Sequence, residues 1–159
     1  ILRNSASFEE SNKLLDSLLS NTDSLVPGRL YQAGIEKIYN LCWNSQIKEA
    51  YDTAYRMIET CARAGNVKVK AWFERYLTAV HFFAGRMQDT VYYYEKSLEL
   101  PEHERRYLDM HSTGMYAAKA YQMRGDRQKA ETIISTEIQK LRSTGLYEEL
   151  WAAYLLNLC

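Results

Sequence analysis

The side chains best equipped for chemistry are three histidines, His81, His103 and His111, and three cysteines, Cys42, Cys61 and Cys159. Metal capture needs such ligands at spacings that bring them together on one helical face or turn, and these lack that spacing. His103-Glu104 opens like the His-Glu-x-x-His zinc motif but does not continue as one. A lone helical histidine without a partner to tune it is a poor acid or base, so His81 is expected to serve as a packing residue. The cysteines are odd in number and have no Cys-x-x-Cys pair, which predicts reduced thiols of a cytoplasmic protein rather than a disulfide framework. No glycine-rich phosphate loop is present. Neither a catalytic constellation nor a metal or cofactor site is therefore expected. What the chain has in quantity is aromatic surface, thirteen tyrosines and three tryptophans, the side chains that dominate binding hot spots. Binding is the expected activity.

The elements that position these side chains are helices. Apolar residues recur at three- and four-residue spacing, and only two prolines and seven glycines interrupt them. Ser7 and Glu10 have capping-box spacing ahead of a helix over about 8–20, followed by a loop over 21–28. Beyond it the chain repeats itself every 40 residues: Ser45-Gln46-Ile47-Lys48-Glu49-Ala50, Gly85-Arg86-Met87-Gln88-Asp89-Thr90 and Gly125-Asp126-Arg127-Gln128-Lys129-Ala130 are one motif. Self-similarity at such a period signals stacked helix pairs. The turn position favours a residue that tolerates positive φ, and the small residue five later allows helix A to cross helix B closely. Leu41, His81 and Tyr121, four before each turn, would fill the space within a pair.

The predicted architecture is all-α: a right-handed superhelix, or α-solenoid, of antiparallel helix pairs forming one domain over 1–159. The repeats span about 29–65, 67–101 and 103–145. Gly65 and Gly145, two periods apart, close the first and third, and Pro101 closes the second. A half repeat over 146–159 carries Tyr147, Leu150, Trp151, Tyr154, Leu155 and Leu158 at helical spacing. Its second helix would lie beyond residue 159, so the sequence reads as part of a longer chain. Among the three consecutive tyrosines Tyr92, Tyr93 and Tyr94, the last is expected in the core.

Bulk composition excludes several partners. Twenty Lys and Arg balance twenty Asp and Glu, leaving no net field to draw a polyanion, so direct nucleic-acid contact is not expected. Clusters such as Arg105-Arg106 and Arg124, Arg127 and Lys129 are interleaved with acids and read as solvated faces. No uninterrupted apolar run approaches the length of about 20 residues that spans a bilayer.

The run from Ala117 to Ala130, Ala-Ala-Lys-Ala-Tyr-Gln-Met-Arg-Gly-Asp-Arg-Gln-Lys-Ala, resembles the core of a tetratricopeptide repeat, and Phe82 to Met87 with Tyr94 and Leu98 resembles it less closely. The 40-residue period is longer than the usual 34. It is similar to the superhelical region of MalT-type, LuxR-family transcription activators, in which an ATP-binding module precedes the superhelix and a helix-turn-helix follows it. That resemblance implies a sensor role, with a peptide, a regulatory protein or a small-molecule inducer bound in a concave groove lined by helix A. Helical repeats of this kind also occur as protein-interaction scaffolds outside transcription. Carried onto this sequence, the groove is expected at Tyr39 and Trp43 of the first repeat. The second contributes Trp72, Arg75, Phe82 and Phe83, and the third Met115, Lys119 and Gln122. The half repeat leaves core surface open at its end, so self-association through Trp151 and Leu155 is expected.

Overall fold

The computed structural model describes residues 5–20, 27–100 and 113–144. The chain is all-helical: among the described residues there are seven helices and no strand. They are α1 (Ser5–Leu19), α2 (Pro27–Trp43), α3 (Ile47–Arg63), α4 (Val67–Phe83), α5 (Met87–Leu98), α6 (Thr113–Met123) and α7 (Arg127–Thr144). The start of the third helix A, the stop at Pro101, most of the 21–28 loop and the segment 146–159 with Trp151 and Leu155 lie outside the described residues. One correction concerns α1, which begins at Ser5, so Ser7 sits inside the helix rather than at its N-cap.

The turns are more regular than a 40-residue period requires. Positive φ occurs at Ser45 (60°), Gly65 (66°), Gly85 (73°) and Gly125 (87°), so α2-to-α3, α3-to-α4, α4-to-α5 and α6-to-α7 share one geometry. In each, the N–H of the residue after the positive-φ position donates to the carbonyl five residues back: Gln46 to Leu41 at 2.9 Å, Asn66 to Cys61 at 2.8 Å, Arg86 to His81 at 2.9 Å, Asp126 to Tyr121 at 3.0 Å. The positive-φ residue itself donates three back, as Gly85 does to Phe82 at 3.0 Å. This is the Schellman end, which satisfies carbonyls that the last helical turn leaves open. The next helix begins two residues after each positive φ, and two of these turns are also capped by a side chain. Asn66 Oδ1 accepts from the Val69 N–H at 3.3 Å, and Asp126 Oδ1 accepts from the Lys129 N–H at 3.1 Å.

Packing follows from the stripes that these helices carry. In α3 the buried residues Ala50, Thr53, Ala54, Met57 and Cys61 recur at three- and four-residue steps, while Lys48, Glu49, Asp52 and Arg56 stay exposed or rim-facing. α4 is buried on most sides, with Val69, Phe73, Tyr76, Leu77 and Val80 at 2% exposure or less, because α2, α3, α5 and α6 all pack on it. Each helix packs on its sequence neighbour, and α2, α4 and α6 also pack on one another in succession. The small positions Ala50, Thr90 and Ala130 are buried at 0, 0 and 3% exposure, and Leu41, His81 and Tyr121 fill the adjacent space. Of the three consecutive tyrosines Tyr94 is buried, Tyr93 half-buried and Tyr92 exposed.

Two glycines inside helices have a packing role that their turn-forming relatives lack. Gly34 and Gly114 stand 80 residues apart, two periods. A Cβ on Gly34 would lie 2.6 Å from the ring of Phe73, so the missing side chain is what lets α4 seat that ring against the α2 backbone. At Gly114 the close neighbour is the Glu137 side chain, also at 2.6 Å.

Candidate binding surface

Large aromatic residues in the last turns of α2 and α4 stay partly accessible, because the Schellman turn ends each helix before a neighbour covers that face. Trp43 is the last residue of α2 and is 52% exposed; Phe83 ends α4 and is half-buried; Met123, at the same place in α6, is 60% exposed. Their rings connect. Tyr39 lies 5.8 Å from Trp43 between centroids, Trp43 lies 5.6 Å from Phe83, and Phe83 lies 5.6 Å from Tyr116. Phe82 joins the same end, 5.2 Å from Tyr116. The Trp43–Phe83 pair is edge-to-face, the arrangement favoured by the quadrupoles of the two rings. The result is an aromatic ledge running across α2, α4 and α6.

Polar side chains follow on α6. Lys119, one turn beyond Tyr116 on α6, donates from Nζ to Gln122 Oε1 at 2.8 Å. A row of aromatic faces can bind apolar side chains.

Four of the nine expected groove residues, Tyr39, Trp43, Phe82 and Phe83, belong to this ring row, and Lys119 and Gln122 follow further along α6. The other three are corrected. Trp72, Arg75 and Met115 are buried at 4, 3 and 3% exposure and lie away from this row, and Arg75 instead borders a separate cavity with Tyr93 and Leu100. Trp72 packs edge-on against Tyr31 of α2 at 5.0 Å, and Arg75 Nε donates to Thr113 Oγ1 of α6 at 2.9 Å. The physical reason is rotation about the helix axis. Arg75 and Trp72 lie eight and eleven residues before Phe83, about two to three turns back along α4, and their side chains meet Thr113 of α6 and Tyr31 of α2 rather than the rim. Tyr116 was missed by sequence reasoning for the same reason, since a shift of one residue from Met115 turns a side chain by about 100°.

His81 takes the packing role. It stacks on Tyr93 of α5 at 4.9 Å and 14°, and a 2.8 Å hydrogen bond joins its Nδ1 to the Tyr51 hydroxyl of α3. Burial, opposed in part by the Asp89 carboxylate, lowers its proton affinity below the usual histidine value. Cys42 and Cys61 are buried free thiols, and burial pushes the Cys42 thiol up to about 12. Among the described residues no group of histidine, cysteine and carboxylate side chains is arranged to hold a metal, and no helix is long and apolar enough to cross a membrane.

Comparison of the chain with protein-family models, with curated proteins and with solved structures returns no significant match.

Proposed function

We propose that this chain is a non-catalytic binding domain, a right-handed α-solenoid of tetratricopeptide-like helix pairs that takes a peptide or protein segment on the Tyr39–Trp43–Phe83–Tyr116 ledge. The observation that carries the reading is the continuity of the ring row over three helices with Trp43 half-exposed at its centre. A row of partly open rings around one exposed tryptophan is the kind of surface on which a partner docks. The openness of the row favours an extended or helical segment over a small inducer, which is typically held in an enclosed cavity. Support for the solenoid comes from the repeated Schellman turns and from the contacts of α2 with α4 and of α4 with α6. The biological setting we favour is the sensor segment of a larger MalT-like, LuxR-family regulator in the cytoplasm, where occupancy alters end-packing and assembly. A constitutive scaffold is the alternative.

Two experiments test these statements separately. A displayed peptide library is selected against the wild-type chain and against Trp43→Ala/Phe83→Ala. Sequences enriched on the wild type and lost on the folded double variant are the expected result; equal enrichment on both overturns the ledge. The regulator setting stands or falls on the parent gene, where a Walker-type loop upstream and a helix-turn-helix downstream are expected.

A further inference from the structure

His81 occupies the position filled by Leu41 in the first repeat and by Tyr121 in the third, residues that do not titrate near neutral pH. It alone of the three changes charge near neutrality, and it does so inside the protein at 5% exposure. Three elements meet on its ring. α3 contributes Tyr51, whose hydroxyl is 2.8 Å from Nδ1 and whose ring crosses the imidazole edge-on at 5.2 Å. α5 contributes Tyr93, stacked face to face at 4.9 Å and itself hydrogen-bonded to Tyr55 of α3. The turn and first turn of α5 contribute the charges that face this cluster: Asp89, with Oδ2 at 3.6 Å from Nδ1, and Arg86, whose guanidinium lies 5.6 Å over the Tyr51 ring. The second ring nitrogen, Nε2, is buried without a hydrogen-bond partner.

We propose that His81 is a protonation switch that fastens the α3–α4–α5 junction while neutral and loosens it when charged. The neutral ring suits its surroundings. Nδ1 either accepts from the Tyr51 hydroxyl or donates to its oxygen, and the bond survives in both tautomers. The charged ring does not. Both nitrogens then carry hydrogens, so Nε2–H becomes a buried cationic donor with nothing to accept it, a state that costs more than an unpaired neutral group. Nδ1–H keeps an acceptor in the Tyr51 oxygen, and the Asp89 carboxylate favours the added charge while Arg86 opposes it. Asp89 is half exposed, so solvent screens its compensation.

The direction of the pH effect follows from linkage. A folded-state affinity lowered from the ordinary 6.5 means that the unfolded chain binds the proton more readily, so stability is full above 6.5 and falls as pH drops below it. The fall continues until pH passes the folded-state value. Phe82 and Phe83 follow His81 directly on α4, so the ledge is the first surface such loosening reaches; that consequence rests on the binding reading, and the switch does not.

The test compares urea denaturation of the wild type and His81→Tyr, the side chain that the third repeat uses, from pH 7.5 to 5.0. Carboxylate titrations are common to both and cancel. The wild-type folding constant should fall relative to the variant below pH 6.5, approaching but not exceeding about tenfold per pH unit. Amides of Tyr51 and Tyr93 should exchange faster at pH 5.5 than the intrinsic pH dependence predicts in the wild type only. Identical pH profiles for the two proteins, or a His81 ring titrating at or above 6.5 by NMR, would overturn the proposal. Should His81→Tyr fail to fold, His81→Leu, matching Leu41, replaces it with the same expected and overturning results.

Discussion

Gly34→Ala tests whether the α2–α4 contact is built on a missing side chain. In a solvated helix interior this exchange stabilises by about 1 kcal/mol, because alanine loses less backbone entropy than glycine. Here the new Cβ would sit 2.6 Å from both Cε1 and Cζ of Phe73, well inside van der Waals contact, and 3.5 Å from Cγ of Met57. Phe73 is fully buried and lies edge-on against Tyr31 at 5.4 Å, so its ring has no free direction of retreat. Overpacking of this kind costs about 1–3 kcal/mol. The propensity gain subtracts from that cost, leaving a net loss of about 1 kcal/mol, or about a fivefold smaller folding constant. Urea denaturation followed by far-UV circular dichroism measures it, with an unchanged dependence on urea showing that the same surface unfolds. The internal control is Phe73→Leu, which removes the two clashing ring atoms. In that background Gly34→Ala should become neutral or stabilising, the coupling expected of two residues in contact. A wild-type background in which Gly34→Ala raises the urea midpoint would refute the packing argument.

The turn residues make the opposite case. An added Cβ meets nothing within 4 Å at Gly85 or Gly125, so Gly85→Ala and Gly125→Ala lose about 1 kcal/mol each from the positive φ alone, whereas Ser45→Gly, at φ 60°, should raise stability by about 0.5 kcal/mol; urea midpoints decide both. Burial of Cys42 and Cys61 predicts that, in a Cys159→Ser background, neither thiol reacts with a disulfide reagent at pH 8 until the protein is unfolded, since the thiolate is the reactive form and the Cys42 thiol is pushed up to about 12. Fast labelling of the folded chain would contradict the packing of α2 against α3.

Turn chemistry is local, and it was legible. Gly65, Gly85 and Gly125 mark helix ends because only backbone conformation is at stake there, and Ala50, Thr90 and Ala130 could be read as close-crossing positions from their register alone. The all-helical class followed from spacing for the same reason, since a helix places residues three and four apart on one face whatever it later touches. Ser45 shows where this stops. Serine by itself does not favour a positive φ; only its register with Gly85 and Gly125 points to one, and the structure holds it at 60°.

Which face of each helix A meets solvent was decided by tertiary packing. Trp43 and Trp72 are the same residue type on equivalent helices, yet one is half-exposed on the ledge and the other is pressed against Tyr31, because burial depends on where the next helix crosses and not on the side chain that is crossed. Gly34 is the sharpest instance: inside a helix it reads as a weakness, and only the ring of Phe73, 39 residues away in sequence, makes it a requirement. Periodicity therefore determined that helices stack in pairs, and three-dimensional contact determined which of their aromatic residues became core and which became surface.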